Sequence, residues 1–104
     1  MNTEAKLTKH QILLMLRENP ALLRKCKVKR IGLFGSFATG KQTKKSDIDF
    51  VVEFSEPTFD NFMALHHSLE KLLGRNIEIL TPEGVRSIRV KSVSESILKS
   101  LVYV

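Results

Sequence analysis

The sequence has very little cysteine. Cys26 is the single cysteine in 104 residues, so no disulfide can form within one copy of the chain. A lone cysteine gives no sign of the disulfide frameworks that stabilise small exported domains, and a reducing compartment is the default expectation. We therefore predict a cytoplasmic protein whose stability comes from its core.

Long apolar segments are also missing. No run approaches the roughly 20 apolar residues that a membrane-spanning helix needs, and the opening MNTEAKLTKH lacks the apolar stretch of a signal peptide. No internal repeat, low-complexity segment or linker divides the sequence. We expect a single domain over residues 1–104 with no membrane association.

Acidic residues are in the minority. The chain has 17 Lys and Arg against 11 Asp and Glu, a formal net charge of +6. This balance raises affinity for anions such as nucleotides, nucleic acids or an acidic partner, although part of it is ordinary solvated surface. The cations concentrate in residues 24–30 and 41–45, on either side of the start of the segment GSFATGKQTKKSDIDF, residues 35–50.

Hydrophobic patterning predicts alternating strands and helices. Strands are expected at 28–34, 46–54 and 76–80, because these segments are short, β-rich and bounded by turn residues. They are too few for a doubly wound dinucleotide-binding fold, and no Gly-x-Gly-x-x-Gly follows the first strand. We predict an α/β (α+β) fold, a small sheet with helices packed mainly on one face.

One helix carries a pronounced apolar pattern. It is expected at 59–73, ending at Gly74, with a last amphipathic helix near 92–101. The residues expected to share its core-facing side are Phe59, Phe62, Met63, His66, Leu69 and Leu73.

A glycine loop follows the first predicted strand, and it nearly matches a P-loop. Gly35, Gly40 and Lys41 fit Gly-x-x-x-x-Gly-Lys, but Gln42 stands where a Ser or Thr would ligate magnesium. A P-loop also opens a long helix, whereas a strand follows here within a few residues. A different use is more consistent: Gly35 allows a sharp bend, and Ser36 offers a hydroxyl and an N–H to an anion.

Two aspartates lie one residue apart on the second predicted strand. Residues i and i+2 of a strand face the same side, so Asp47 and Asp49 are expected to share a site. Like charges there raise one pKa, and a divalent cation relieves that cost. Magnesium is typically held by one or two carboxylates together with substrate phosphates. Glu78, between two isoleucines on the third strand, is the candidate third acid.

These residues resemble a known signature. Gly35-Ser36, ten residues, then Asp47-Ile48-Asp49 is similar to the GSx10DxD motif of the polymerase-beta-like nucleotidyltransferase superfamily. The chain looks most like a minimal nucleotidyltransferase (MNT) domain protein. LFGSFATG and SDIDFVVEF resemble the core motifs, and LLGRNIEILTPEG resembles the stretch with the third carboxylate.

The resemblance implies a fold, a reaction and a partner. The fold would be the nucleotidyltransferase fold with a small mixed sheet. Asp47, Asp49 and Glu78 would be catalytic and would ligate two magnesium ions, although relatives more often have Asp at the third position. Gly35 and Ser36 would hold the triphosphate of ATP, with Lys45 adding positive charge. The protein would be the antitoxin of a HEPN-domain toxin and would transfer AMP to a toxin tyrosine.

Two other functions stay open from the sequence. The protein could neutralise a partner by contact alone, since so short a chain has little room for its own acceptor-binding domain. It could instead bind RNA through its basic groups, and such binding should weaken steeply with added salt.

Overall fold

A computed structural model describes residues 7–104 of the chain. Residues 1–6 lie outside the described residues. They make up most of the opening segment from which the absence of a signal peptide was predicted. No helix within the described range has both the length and the apolar character needed to cross a membrane.

Helices and strands alternate along the chain. The helices are α1 (Lys9–Arg17), α2 (Pro20–Lys25), α3 (Ser36–Thr39), α4 (Phe59–Leu73), α5 (Pro82–Arg86) and α6 (Lys91–Ser100). The strands are β1 (Val28–Phe34), β2 (Ile48–Phe54), β3 (Ile77–Leu80) and β4 (Val102–Tyr103).

The strands form one mixed sheet in the order β3-β2-β1-β4. The β1–β2 pair is antiparallel, and a loop with the short α3 joins the two strands. The β2–β3 pair is parallel, because α4 carries the chain back along the sheet, as a parallel connection requires. The predicted small mixed sheet is confirmed.

The sheet divides its side chains between two apolar clusters. Ile48, Phe50 and Val52 of β2 lie in the larger cluster, together with residues of α1 and α4. Val51, which alternates with them, lies in a smaller cluster with Phe34 and Val85. The larger core is therefore on one face, as expected, while α5 and α6 cover part of the other.

The sequence did not predict α5 or β4, and two strands start later than expected: β3 by one residue, at Ile77, and β2 by two. α5 and β4 are too short to show a period in the sequence. β2 starts at Ile48 rather than at Ser46, because ladder pairing with β3 begins at the Ile48–Ile77 pair. Asp47 therefore lies just before the strand, and its position is not fixed by a strand ladder.

The core-facing side of α4 differs in part from the expectation. The helix buries Leu65, Leu69 and Leu73, whereas Phe59 is 76% exposed and Met63 43% exposed. Met63 precedes Leu65 by two residues, which is about 200° around a helix of 3.6 residues per turn. The prediction that Phe59 and Met63 belong to the core was wrong, because the leucine stripe faces the sheet instead.

Two phenylalanines provide a test of this core assignment. We expect Phe50→Ala to lower the free energy of unfolding by about 3–5 kcal/mol, because it leaves a cavity at a side chain that is 0% exposed. The matched control is Phe59→Ala, which should cost far less because the ring already lies largely in solvent. Urea denaturation followed by circular dichroism measures both, and equal losses would contradict the assignment.

Candidate active site

Strand pairing brings Asp49, Glu78 and Gly35 together on the sheet. Asp49 lies opposite Glu78 in the parallel β2–β3 pair and opposite Phe34 in the antiparallel β1–β2 pair. Gly35 comes directly after Phe34, so it adjoins Asp49 from the other side. Asp49 is partly buried, whereas Asp47 and Glu78 are exposed.

Asp49 is electrostatically unusual. Its pKa is raised to about 6, first by desolvation, then by the charge of Glu78 and then by that of Asp47. The two neighbouring acids are thus close enough to disfavour ionisation of Asp49. The catalytic and metal-binding roles expected for the three acids stay predictions.

The three acids do not by themselves form a complete metal-binding site. Within residues 7–104, no three His, Cys, Asp or Glu side chains form a group that could hold a metal ion by themselves. The donor chemistry nevertheless suits a hard cation. Such cations bind carboxylate oxygens, and a cation near Asp49 would offset the negative charges of Glu78 and Asp47 that disfavour its ionisation. Substrate phosphates usually complete such a coordination shell for magnesium.

Gly35 is required by both its backbone and its surroundings. Its φ of +75° lies in the region that favours glycine, and a Cβ there would collide with Asp49 Oδ2 and lie 3.2 Å from its Cγ. Its N–H donates to Ser100 Oγ at 3.3 Å. Ser36 then begins α3, so the bend places the glycine backbone directly against the aspartate.

A cavity of about 270 Å³ opens beside Gly35. Its lining residues are Phe34, Gly35, Ser92, Val93, Ser96, Ile97 and Ser100. Ile97 also packs on the cluster that contains Val51, so α6 covers the face of β2 to which Asp49 belongs by alternation. The sequence analysis missed these serines, although their recurrence at every fourth position of a helix was visible.

Lys45 occupies a different cavity. This second space, about 590 Å³, is lined by Lys44, Lys45, Ser46, Asp47, Glu70, Gly74, Arg75 and Asn76. It shares Asp47 with the acid group but includes neither Gly35 nor Ser36. The larger cavity is thus not the one at the glycine bend, and a role for Lys45 on the triphosphate stays a prediction.

Comparison with known proteins identifies the family of this chain. A family model described as "Nucleotidyltransferase domain" matches residues 17–104. A Methanocaldococcus jannaschii protein with the provisional name protein adenylyltransferase MJ1379 is 43% identical over 94 residues, covering 86% of this chain and 91% of the relative. Protein adenylyltransferase MntA of Thermococcus cleftensis is 33% identical over 78 residues, covering 74% and 75%. The chain belongs to the nucleotidyltransferase domain family.

Solved structures agree on the fold. A structure described provisionally as a minimal nucleotidyltransferase superposes with a TM-score of 0.72 at 24% identity, covering 95% of this chain and 98% of that one. The complex of a tri-AMPylated Shewanella oneidensis HEPN toxin with its MNT antitoxin gives 0.57 at 20% identity, covering 88% and 70%. The predicted minimal nucleotidyltransferase fold is confirmed.

The raised pKa of Asp49 predicts a pH dependence of stability. A raised folded-state pKa favours the protonated form, so its stabilisation is complete below about pH 4 and is lost as the pH rises through about 6. Asp49→Asn should therefore be more stable than the wild type at neutral pH, by about 1 kcal/mol at this solvent-screened site. The difference should vanish below about pH 4. Thermal unfolding across this range measures it.

An exposed acid of α6 provides the control for Asp49→Asn. Glu95→Gln removes an exposed acid of α6 and should show no comparable pH-dependent gain. If Asp49→Asn were no more stable than the wild type at neutral pH, Asp49 would not be under the repulsion described here.

Two glycines test the contact between the bend and the aspartate. Gly35 and Gly40 have φ of +75° and +78°, so alanine is strained at both, but only Gly35 has atoms within 4 Å of the added Cβ. We expect Gly35→Ala to lose about 1–3 kcal/mol more than Gly40→Ala, because Asp49 must also move. Guanidinium denaturation measures the difference, and equal losses would show that Asp49 does not confine Gly35.

Proposed function

We propose that this nucleotidyltransferase transfers AMP from ATP to a hydroxyl group, a tyrosine in the first instance, of a HEPN-domain partner toxin, and so acts as its antitoxin. The observation that carries the proposal is the contact of Asp49 with the Gly35 bend on one side and its register with Glu78 on the other. The adenylyltransferase names of the relatives support the reaction, and the tri-AMPylated toxin of the Shewanella complex supports the acceptor. We place the protein in the cytoplasm, since its single buried thiol suits a reducing compartment.

The donor would bind at the glycine bend. A related toxin–antitoxin structure was solved with AMP-PNP, which supports a nucleoside triphosphate as substrate. In this chain, Ser92 and Ser96 of α6 line the cavity beside Gly35, together with the apolar Val93 and Ile97. We place the nucleotide there, with Ser36 at the phosphates.

Magnesium is the cation that this site suits. Asp47, Asp49 and Glu78 would hold two ions together with the triphosphate. Bound magnesium supplies charge stabilisation for the attacking and leaving oxygens of a phosphoryl displacement. Binding of the cation also removes the cost of ionising Asp49, whose pKa is raised by burial and by its acidic neighbours.

The chain's own residues would align and deprotonate the reactants. The acceptor oxygen forms a bond to the α-phosphorus of ATP, the bond from that phosphorus to the bridging oxygen breaks, and pyrophosphate leaves. Glu78 would take the proton of the attacking hydroxyl, in addition to its role as a ligand. Ser36 would restrain the leaving pyrophosphate, which contributes mainly through positioning.

Co-expression with the HEPN partner tests the reaction. Wild-type protein should increase the intact mass of the partner by one or more AMP units. The double variant Asp47→Asn with Asp49→Asn should abolish the increase, because it removes two ligand charges while preserving the shape of both side chains. The same pair should be compared with purified partner, labelled ATP and magnesium.

Glu53→Gln is the matched control, since Glu53 lies on the same strand but pairs at the surface with Lys29. It should transfer AMP at the wild-type rate. Stoichiometric neutralisation of the partner without ATP, and without any mass increase, would replace the proposal with neutralisation by contact alone. Undiminished transfer by the double aspartate variant would show that the reaction takes place elsewhere.

A further inference from the structure

Asp47 is positioned by contacts other than the strand pairing of the sheet. Asp47 is exposed and precedes the first residue of β2, so ladder hydrogen bonds do not place it. A mispositioned ligand costs an active site much of its rate, because the reacting groups need accurate alignment. Some other contact has to fix this residue.

Arg75 supplies that contact from the turn before β3. Its Nη2 donates to the carbonyl oxygen of Ser46 at 2.7 Å and to that of Thr43 at 3.1 Å. The Ser46 carbonyl belongs to the peptide unit immediately before Asp47. The guanidinium group therefore holds the chain directly on the N-terminal side of the aspartate.

The peptide unit on the other side of Asp47 is held by the next residue of the same turn. The N–H of Ile48 donates to the carbonyl oxygen of Asn76 at 2.9 Å. Arg75 and Asn76 thus fix the two peptide units that flank Asp47. With both units fixed, the direction of the Cα–Cβ bond of Asp47 is fixed as well.

Arg75 is itself anchored. It is partly buried, and its Cζ lies 5.3 Å from the centroid of the Phe37 ring, within the range of a cation–π contact. Phe37 is 1% exposed and follows Ser36 in α3. One side chain therefore connects the helix of the glycine bend to the loop that leads into Asp47.

The loop also has bonds of its own. Ser46 N–H donates to the Thr43 carbonyl at 3.1 Å, and Thr43 N–H donates to Ser46 Oγ at 2.8 Å. These bonds make residues 43–46 a compact turn, but none of them attaches the turn to the rest of the protein. Arg75 provides that attachment with two hydrogen bonds from a charged donor, which are stronger than neutral ones.

We propose that Arg75 is a positioning residue that sets the orientation of Asp47 for nucleotidyl transfer. The inference rests on the proposed function for its catalytic consequence, but the placement of Asp47 can be measured separately. Residues that orient metal ligands typically change activity or metal affinity 10–100-fold when mutated. Arg75→Ala should therefore lower kcat for AMP transfer by about 10–100-fold, with KM for ATP changed less than about threefold at saturating magnesium.

The experiment compares Arg75→Ala and Arg75→Lys with Arg86→Ala, an exposed arginine of α5 that pairs with Glu83. Arg75→Lys keeps the charge, but its side chain is shorter and ends in an ammonium group that cannot reach as far as Nη2, the atom that makes both bonds. It should therefore stay folded and still lose several-fold in kcat. Arg86→Ala should behave as the wild type. Mn2+ affinity in the presence of AMP-PNP, measured by electron paramagnetic resonance, should fall about 10–100-fold in Arg75→Ala.

A measurement that needs no substrate tests the backbone contacts around Asp47 directly. Amide hydrogen exchange at Ser46 and Ile48, which flank Asp47, should accelerate in Arg75→Ala, while Leu65 in the middle of α4 should keep its protection. Wild-type kcat in Arg75→Lys, a loss confined to KM for ATP, or unchanged exchange at Ser46 and Ile48 would overturn the inference. If the wild type transfers no AMP but its Mn2+ affinity and amide exchange still respond to Arg75, the proposed function fails and the positioning role stands.

Discussion

The site depends on the pairing of β2 with a neighbour on each side. The antiparallel pair with β1 ends at the Gly35 bend, and the parallel pair with β3 puts Glu78 in register with Asp49. Because side chains alternate along β2, the same pairing buries Ile48 and Phe50 in the larger core. The larger core and the candidate site thus lie on opposite faces of one strand, and a shift of one residue in register would exchange them.

The acid group is held together against its own repulsion. Burial and two acidic neighbours raise the pKa of Asp49. Without a cation, the folded protein is therefore destabilised at neutral pH, where the reaction would need Asp49 as a carboxylate. The larger apolar cluster on the opposite face offsets that cost. A divalent cation bound among these acids would offset the repulsion, and it would also neutralise part of the charge of a triphosphate bound beside them.

The glycine bend and α6 together define which ligand fits. Gly35 leaves no space for a side chain next to Asp49, and its N–H is already oriented by Ser100. On the opposite wall of that cavity, α6 contributes three serines beside the apolar Val93 and Ile97. Because the bend contributes no side chain, Asp49 can approach the backbone closely at this point.

The sequence by itself determined the three main strands, the leucine-rich helix α4 and the nucleotidyltransferase motif, because alternation, helical spacing and the Gly-Ser and Asp-x-Asp pairs are local. It could not decide whether Phe59 or Leu65 faces the sheet, since both lie on apolar stripes and only packing against β3 selects one. Tertiary structure alone brought Arg75 to the loop before Asp47 and α6 to Gly35. These contacts join residues 29 and 65 positions apart, and no local pattern encodes contacts over such separations.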